Sequence, residues 1–96
     1  MRRKWLEEVA FLERGQETVC TLDVLRVGEE GVLGEIGREH PLRERLIDLG
    51  WTAGTRVRCV RVSPLGDPIA YRVRGGVIAL RRSDGRGIPV CRCKEA

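Results

Sequence analysis

The chain has 96 residues, enough for one domain and too few for a multidomain enzyme, since a domain takes roughly 100 to 200 residues. Apolar residues make up 42% and aromatics 4%, so a chain that buries only about 60–65% of its unfolded surface has a thin core. Charged residues make up 33%, with 18 Lys+Arg against 14 Asp+Glu for a net +4; this is too apolar for disorder and too mixed for a polycation.

The first residues, Met1-Arg2-Arg3-Lys4-Trp5-Leu6, have the basic start of an export signal, but Glu7 and Glu8 interrupt it before an apolar run can form. No stretch approaches the ~18–20 apolar residues of a membrane span. The expected compartment is the cytoplasm. There Cys20, Cys59, Cys91 and Cys93 are expected as thiols or metal ligands rather than as a disulfide framework.

Residues 3–14 place Trp5, Leu6, Val9 and Leu12 at helical spacing, with Glu7, Glu8, Glu13 and Arg14 on the other side and Gly15 as the stop. This predicts an N-terminal amphipathic helix. At that length it is marginal alone, so its apolar stripe needs the body of the domain or another chain, and a homo-oligomer is one form the second takes. Residues 1–20 are assigned to this extension.

Glycine then recurs at Gly28, Gly31, Gly34 and Gly37, which predicts a strand over 31–37 with turns at its ends. Pro41 fits the first position of a helix, after His40 at the N-cap, and Gly50 fits C′. The helix is expected over residues 41–49. Leu42, Leu46 and Leu49 form its buried stripe, and Leu46 and Trp51 make the hydrophobic contact of a Schellman motif. Ile47 lies about 100° from Leu46, beside Arg43. It is either an ordinary exposed aliphatic residue or a partner contact.

Past Gly54 the pattern is β. Val57 and Cys59 alternate with Arg56 and Arg58, whereas Val60 and Val62 take the opposite phase, so a bulge near Cys59 and Val60 must switch faces. Pro64-Leu65-Gly66-Asp67-Pro68 is a turn. Ile69, Tyr71 and Val73 alternate on the next strand, with Gly75-Gly76 as a hairpin turn. Ile78 and Leu80 face the core from a third strand, and a short one runs from Ile88 to Cys91. Short, closely spaced strands with one intervening helix predict a mainly β, partly open small barrel of about five strands.

Leu46-Ile47-Asp48-Leu49-Gly50, Gly54-Thr55-Arg56-Val57, Ser63 to Ile69, Tyr71 to Gly75 and Ile78-Ala79-Leu80-Arg81 together resemble the FeoA family in order and spacing. The resemblance runs from about Thr21 to Val90, which sets the expected domain at 21–90 and leaves 91–96 as a cysteine-containing tail. It implies an SH3-like barrel with a helical insertion. It also implies a non-enzymatic accessory of ferrous iron transport that docks on FeoB, a membrane transporter with a cytoplasmic GTPase domain. A related domain at the C-terminus of iron-dependent repressors makes a regulatory or nucleic-acid-binding module the alternative. Ala53, Gly76 and Ser83-Asp84-Gly85-Arg86 depart from the family's usual residues.

No phosphate-binding loop, dinucleotide fingerprint or His-Glu-x-x-His is present, so no enzyme is expected. Cys91 and Cys93, two apart on a strand, could converge on one transition metal ion, iron or zinc, with Cys59, Cys20 or His40 completing the set. Residues 51–96 carry ten basic against three acidic groups. Arg72 with Arg74, and Arg56 with Arg58, are expected to project in pairs as a basic stripe or a solvated strand face. Base-stacking aromatics are nearly absent there, which favours a protein over a nucleic acid. The candidate partner-binding residues are Arg43, Ile47, Arg72 and Arg74.

Overall fold

A computed structural model describes residues 18–93; the expected N-terminal helix lies outside the described residues. Six strands, β1 (Thr18–Thr21), β2 (Glu30–Leu33), β3 (Arg56–Val62), β4 (Ile69–Val73), β5 (Gly76–Leu80) and β6 (Pro89–Cys93), form one sheet in the order β1-β6-β2-β3-β4-β5. Every pairing is antiparallel. A 3₁₀ turn (Leu22–Val24), helix α1 (Arg43–Asp48) and the single turn α2 (Arg82–Gly85) complete the described part. The strand beyond the expected five is β1, which lies mostly within the stretch assigned to the N-terminal extension.

The alternation in the sequence explains which face is buried. Val57 and Cys59 point inward and are buried, while Arg56 and Arg58 are exposed. The register of β3 against β4 then shifts between Cys59 and Arg61, and Val60 and Val62 become half-buried. That is the face switch expected from the change of phase. On β2, Gly31 leaves room for the adjacent strand β6, because a Cβ there would run into Val90 Cγ1 and the Cys91 carbonyl. The strand expected over 31–37 ends at Leu33, where Gly34 donates instead to the Pro89 carbonyl at 2.8 Å.

Two local expectations are corrected. The β4–β5 hairpin pairs Val73 with Gly76, so its turn residues are Arg74 (φ 54°) and Gly75 (φ 82°), not Gly75-Gly76. Two successive positive φ values are what a tight hairpin twist requires. Helix α1 is shorter than 41–49: its N-cap is Leu42 and its C-cap Leu49. His40 makes the entry turn instead, its Nδ1 accepting the Leu42 N–H at 3.1 Å and its Nε2–H donating to the Asp84 carbonyl at 2.8 Å.

The C-terminal end of α1 closes as expected. Trp51 N–H donates to Leu46 O at 2.9 Å and Gly50 N–H to Ile47 O at 3.0 Å, with Gly50 at φ 95°: the bonds of a Schellman motif. This delivers Leu46 and Trp51 to the core, where Trp51 meets Tyr71 edge-on at 6.2 Å between ring centroids. The Tyr71 hydroxyl donates to the Leu22 carbonyl at 3.3 Å, and burial pushes its ionisation above the ordinary tyrosine range. Across the molecule, Arg82 ties loops together, its side chain donating to the carbonyls of Gly66 (2.7 Å) and Asp23 (3.1 Å).

Candidate functional site

Helix α1 presents three sides. Leu46 faces the core at 1% exposure. On one flank lies a groove of about 330 Å³ between the helix and the β4–β5 hairpin, lined by Leu42, Leu46, Leu49, Pro68, Ile78 and Leu80 with Arg45, Arg81 and Asp84. On the other flank Ile47, Arg43, Trp51, Ile36 and Glu35 line a depression of about 150 Å³. The helical wheel explains the division. Relative to Leu46, Leu42 and Leu49 lie about 40–60° to one side, whereas Arg43 and Ile47 lie about 60–100° to the other.

The expected Leu42/Leu46/Leu49 stripe is therefore not uniformly buried. Leu49 is 48% exposed and Leu42 only partly buried, because the helix stops at Asp48 and Leu49 belongs to the cap rather than to the face that meets the sheet. Ile47 is half-buried. Arg43 is held beside it, its Nε donating to the Ile36 carbonyl at 3.0 Å. The sequence signal for an exposed Leu49 was Gly50 at C′, which ends the helix before Leu49 can complete a turn.

The basic residues separate. Arg72 is exposed on β4, while Arg74 stands in the hairpin turn and does not project beside it. The Arg74 stem runs over Gly50, within 2.5 Å of where a Cβ would stand. Arg56 and Arg58 both reach Glu30 on the neighbouring strand, at 3.0 and 3.3 Å. Their charge is thus partly met within the sheet. Tyr71, the nearest aromatic, is buried in the core and offers no face to a base.

Among the described residues Cys59 and Cys91 do not come together. Cys59 belongs to the core, and burial pushes its thiol above the ordinary range. Burial likewise raises half-buried Cys20. Cys91 lies opposite Val32 of β2, one residue out of phase with the Gly31–Val57 pair that shares the face of Cys59. Cys59 and Cys91 therefore point to opposite faces of the sheet and cannot serve one ion. Among the described residues no cluster of three or more His, Cys, Asp or Glu could hold a metal.

The family model described as the FeoA domain matches residues 20–91. The chain belongs to the FeoA family. It is 30% identical over 69 residues to the Fe(2+) transport protein A/Fe(2+) transporter FeoB fusion protein of Porphyromonas gingivalis (strain ATCC BAA-308 / W83), covering 72% of this chain and 8% of that one. The chain thus spans a small part of that relative's length. Among solved structures it is similar to Chlorobium tepidum FeoA, with a TM-score of 0.71 and 32% identity over 77% of this chain and 70% of that one. The zinc complex of Stenotrophomonas maltophilia FeoA, described as a procaryotic SH3 domain protein, gives 0.62 and 28% over 73% and 87%. The mainly β fold expected from the residues, and the SH3-like fold that the resemblance implied, is the fold of the family.

Proposed function

We propose that this chain is a non-enzymatic, cytoplasmic accessory protein of ferrous iron transport that works by docking on a FeoB-like membrane transporter. The observation that carries the proposal is the fused relative, named for both a transport protein A and a FeoB transporter in one polypeptide. Covalent linkage raises the effective concentration of one module at the other, which is useful to parts that engage each other.

The docking face is α1 with its two flanks. Ile47 and Arg43 on one side, and Leu42 and Leu49 on the other, offer apolar surface beside charge. Arg74, whose stem runs over Gly50 at the end of α1, supplies a basic border, while Arg72 stands apart on β4 opposite Arg58. Desolvated apolar contacts at the centre of an interface carry most of its affinity, while border arginines set association rate and salt dependence. The alternative, nucleic-acid binding, is disfavoured by the Glu30 pairing of Arg56 and Arg58 and by the burial of Tyr71.

The test is co-purification with a FeoB-like transporter, coupled to ferrous iron uptake. Ile47→Glu and Leu49→Glu are expected to weaken capture by about tenfold or more each and to reduce uptake. Arg74→Ala should chiefly flatten the salt dependence, and Arg72→Ala should change it less. Folded Ile47→Glu and Leu49→Glu proteins that bind and support uptake normally would overturn the proposal.

A further inference from the structure

The sheet is open at β5. In the order β1-β6-β2-β3-β4-β5, β4 covers one side of this strand, and among the described residues no strand covers the other. The turn decides which main-chain groups are left over. A two-residue hairpin makes Val73 and Gly76 a hydrogen-bonded pair, and alternation makes Tyr71–Ile78 and Ile69–Leu80 hydrogen-bonded pairs as well. Val77 and Ala79, opposite Arg72 and Ala70, therefore turn their N–H and C=O groups away from β4. Among the described residues these groups have no hydrogen-bond partner, and both residues are exposed. Sheet edges are ordinarily blunted by a lysine, a proline, an inward charge or a bulge, because an unpaired row of main-chain groups is a template for another strand. Gly76–Leu80 carries none of these.

The groove beside α1 runs along the same edge. Ile78 and Leu80 line it from β5, and Leu42, Leu46 and Leu49 line it from α1. Ala79 lines it too, although alternation turns its side chain to the outer face, so the strand shows the groove its main chain.

We propose that β5 takes up an extended segment of the partner as an additional strand, with every second side chain, apolar, entering the groove and carboxylates flanking the apolar stretch. This rests on the docking reading above and gives it a mode. Unpaired amides and carbonyls at strand spacing select a polypeptide rather than a lipid or a nucleic acid. The leucines and Ile78 select apolar residues at alternate positions. Charge selects the flanks: Arg45 and Arg81 line the groove against one carboxylate, that of Asp84, and among the described residues neither arginine has an ion-pair partner. Arg81 directly follows the last residue of β5, where the end of an added strand would meet it.

Hydrogen exchange of the whole chain, resolved amide by amide, tests this with a short peptide of alternating valine and threonine flanked by glutamates as the probe. The Val77 and Ala79 amides should exchange fast in the free chain and slow about tenfold or more when the peptide is saturating. Methylating the peptide nitrogens that face β5 keeps every side chain and should abolish the slowing, and lysines in place of the glutamates should weaken binding severalfold. A probe that fails to bind at millimolar concentration, or that binds without slowing these amides, overturns the proposal. So does slowing in the peptide-free chain that grows with protein concentration, which would make a second copy the occupant. The transporter supplies a second arm. Ala79→Pro deletes an edge N–H and leaves the pairs with β4 intact, so capture of a FeoB-like transporter should fall about tenfold or more at a nearly unchanged thermal midpoint, while Ala79→Val captures normally. Normal capture by folded Ala79→Pro overturns the added strand and leaves docking standing. An unaltered chain that captures no transporter overturns the docking reading instead, and the peptide exchange result then decides the edge. Should Ala79→Pro unfold, the methylated peptide decides in its place.

Discussion

The layer beneath α1 and the surfaces beside it are made of similar residues and do different work. Leu46 and Leu49, less than one helical turn apart, are 1% and 48% exposed. Beneath the helix, Leu46, Trp51 and Tyr71 interlock, with the Schellman closure and the Tyr71–Leu22 hydrogen bond setting their positions. Beside it, Leu42, Leu49, Pro68 and Ile78 line a groove that the fold leaves open. Leucine at a given spacing thus says little about its role until the helix end is located. The inner layer should respond to substitution as stability, and the flanks as binding.

The largest expected effect tests the inner layer. Trp51→Ala removes the ring that meets Tyr71 and should cost about 3–5 kcal/mol, lowering the thermal midpoint by well over about 10 °C for a domain of this size. A midpoint shift of a few degrees would place Trp51 outside the core. Next comes Gly50→Val. A branched side chain at φ 95° is strained and would meet the Arg74 stem, so a loss of about 1–2 kcal/mol or more is expected in chemical denaturation. Gly50→Asn should cost less, because asparagine tolerates the left-handed region.

Tyr71→Phe keeps the ring and deletes one hydrogen bond at 3.3 Å, for about 1 kcal/mol. The same region sets the alkaline limit. Burial raises the Cys59 and Tyr71 ionisations, so the folded chain keeps protons that the unfolded chain has released. Stability from these groups is complete below the unfolded values and falls as pH rises past about 8.5 for the thiol and about 10 for the phenol. Denaturation midpoints at pH 7.5, 9.5 and 10.5 should decline in that order. Cys59→Ala should begin lower at pH 7.5 and decline less steeply; an unchanged slope would show that its thiol does not contribute.

The smallest stability effect sharpens the contrast. Leu49→Glu should change unfolding free energy by no more than about 0.5 kcal/mol, although it lies within reach of the core-bound Leu46. Half-buried Ile47→Glu should cost about 1 kcal/mol. If Leu49→Glu unfolds the domain, the groove is part of the core and the distinction between layer and flank disappears.

Local chemistry was legible in the residues. The alternation from Arg56 to Val62 disclosed both the buried face of β3 and its bulge, because a pleated strand can change phase only by adding a residue. Gly50 before Trp51 disclosed the end of α1, because the left-handed C′ position and its hydrophobic contact are specified within a few residues. Five short motifs in register disclosed the family. What those residues could not disclose depends on groups distant in the chain. Arg74 entered the hairpin turn because Val73 pairs with Gly76, a register that the neighbouring strands impose and that two adjacent glycines left ambiguous. Leu49 faces a groove because Ile78 and Pro68 arrive from a hairpin some twenty to thirty residues away. Cys59 and Cys91 face opposite sides because β3 and β6 both pair with β2, one residue out of phase. Spacing along a strand fixes which residues share a face, but which face is the inside is settled only when the strands pair and the apolar rows find one another.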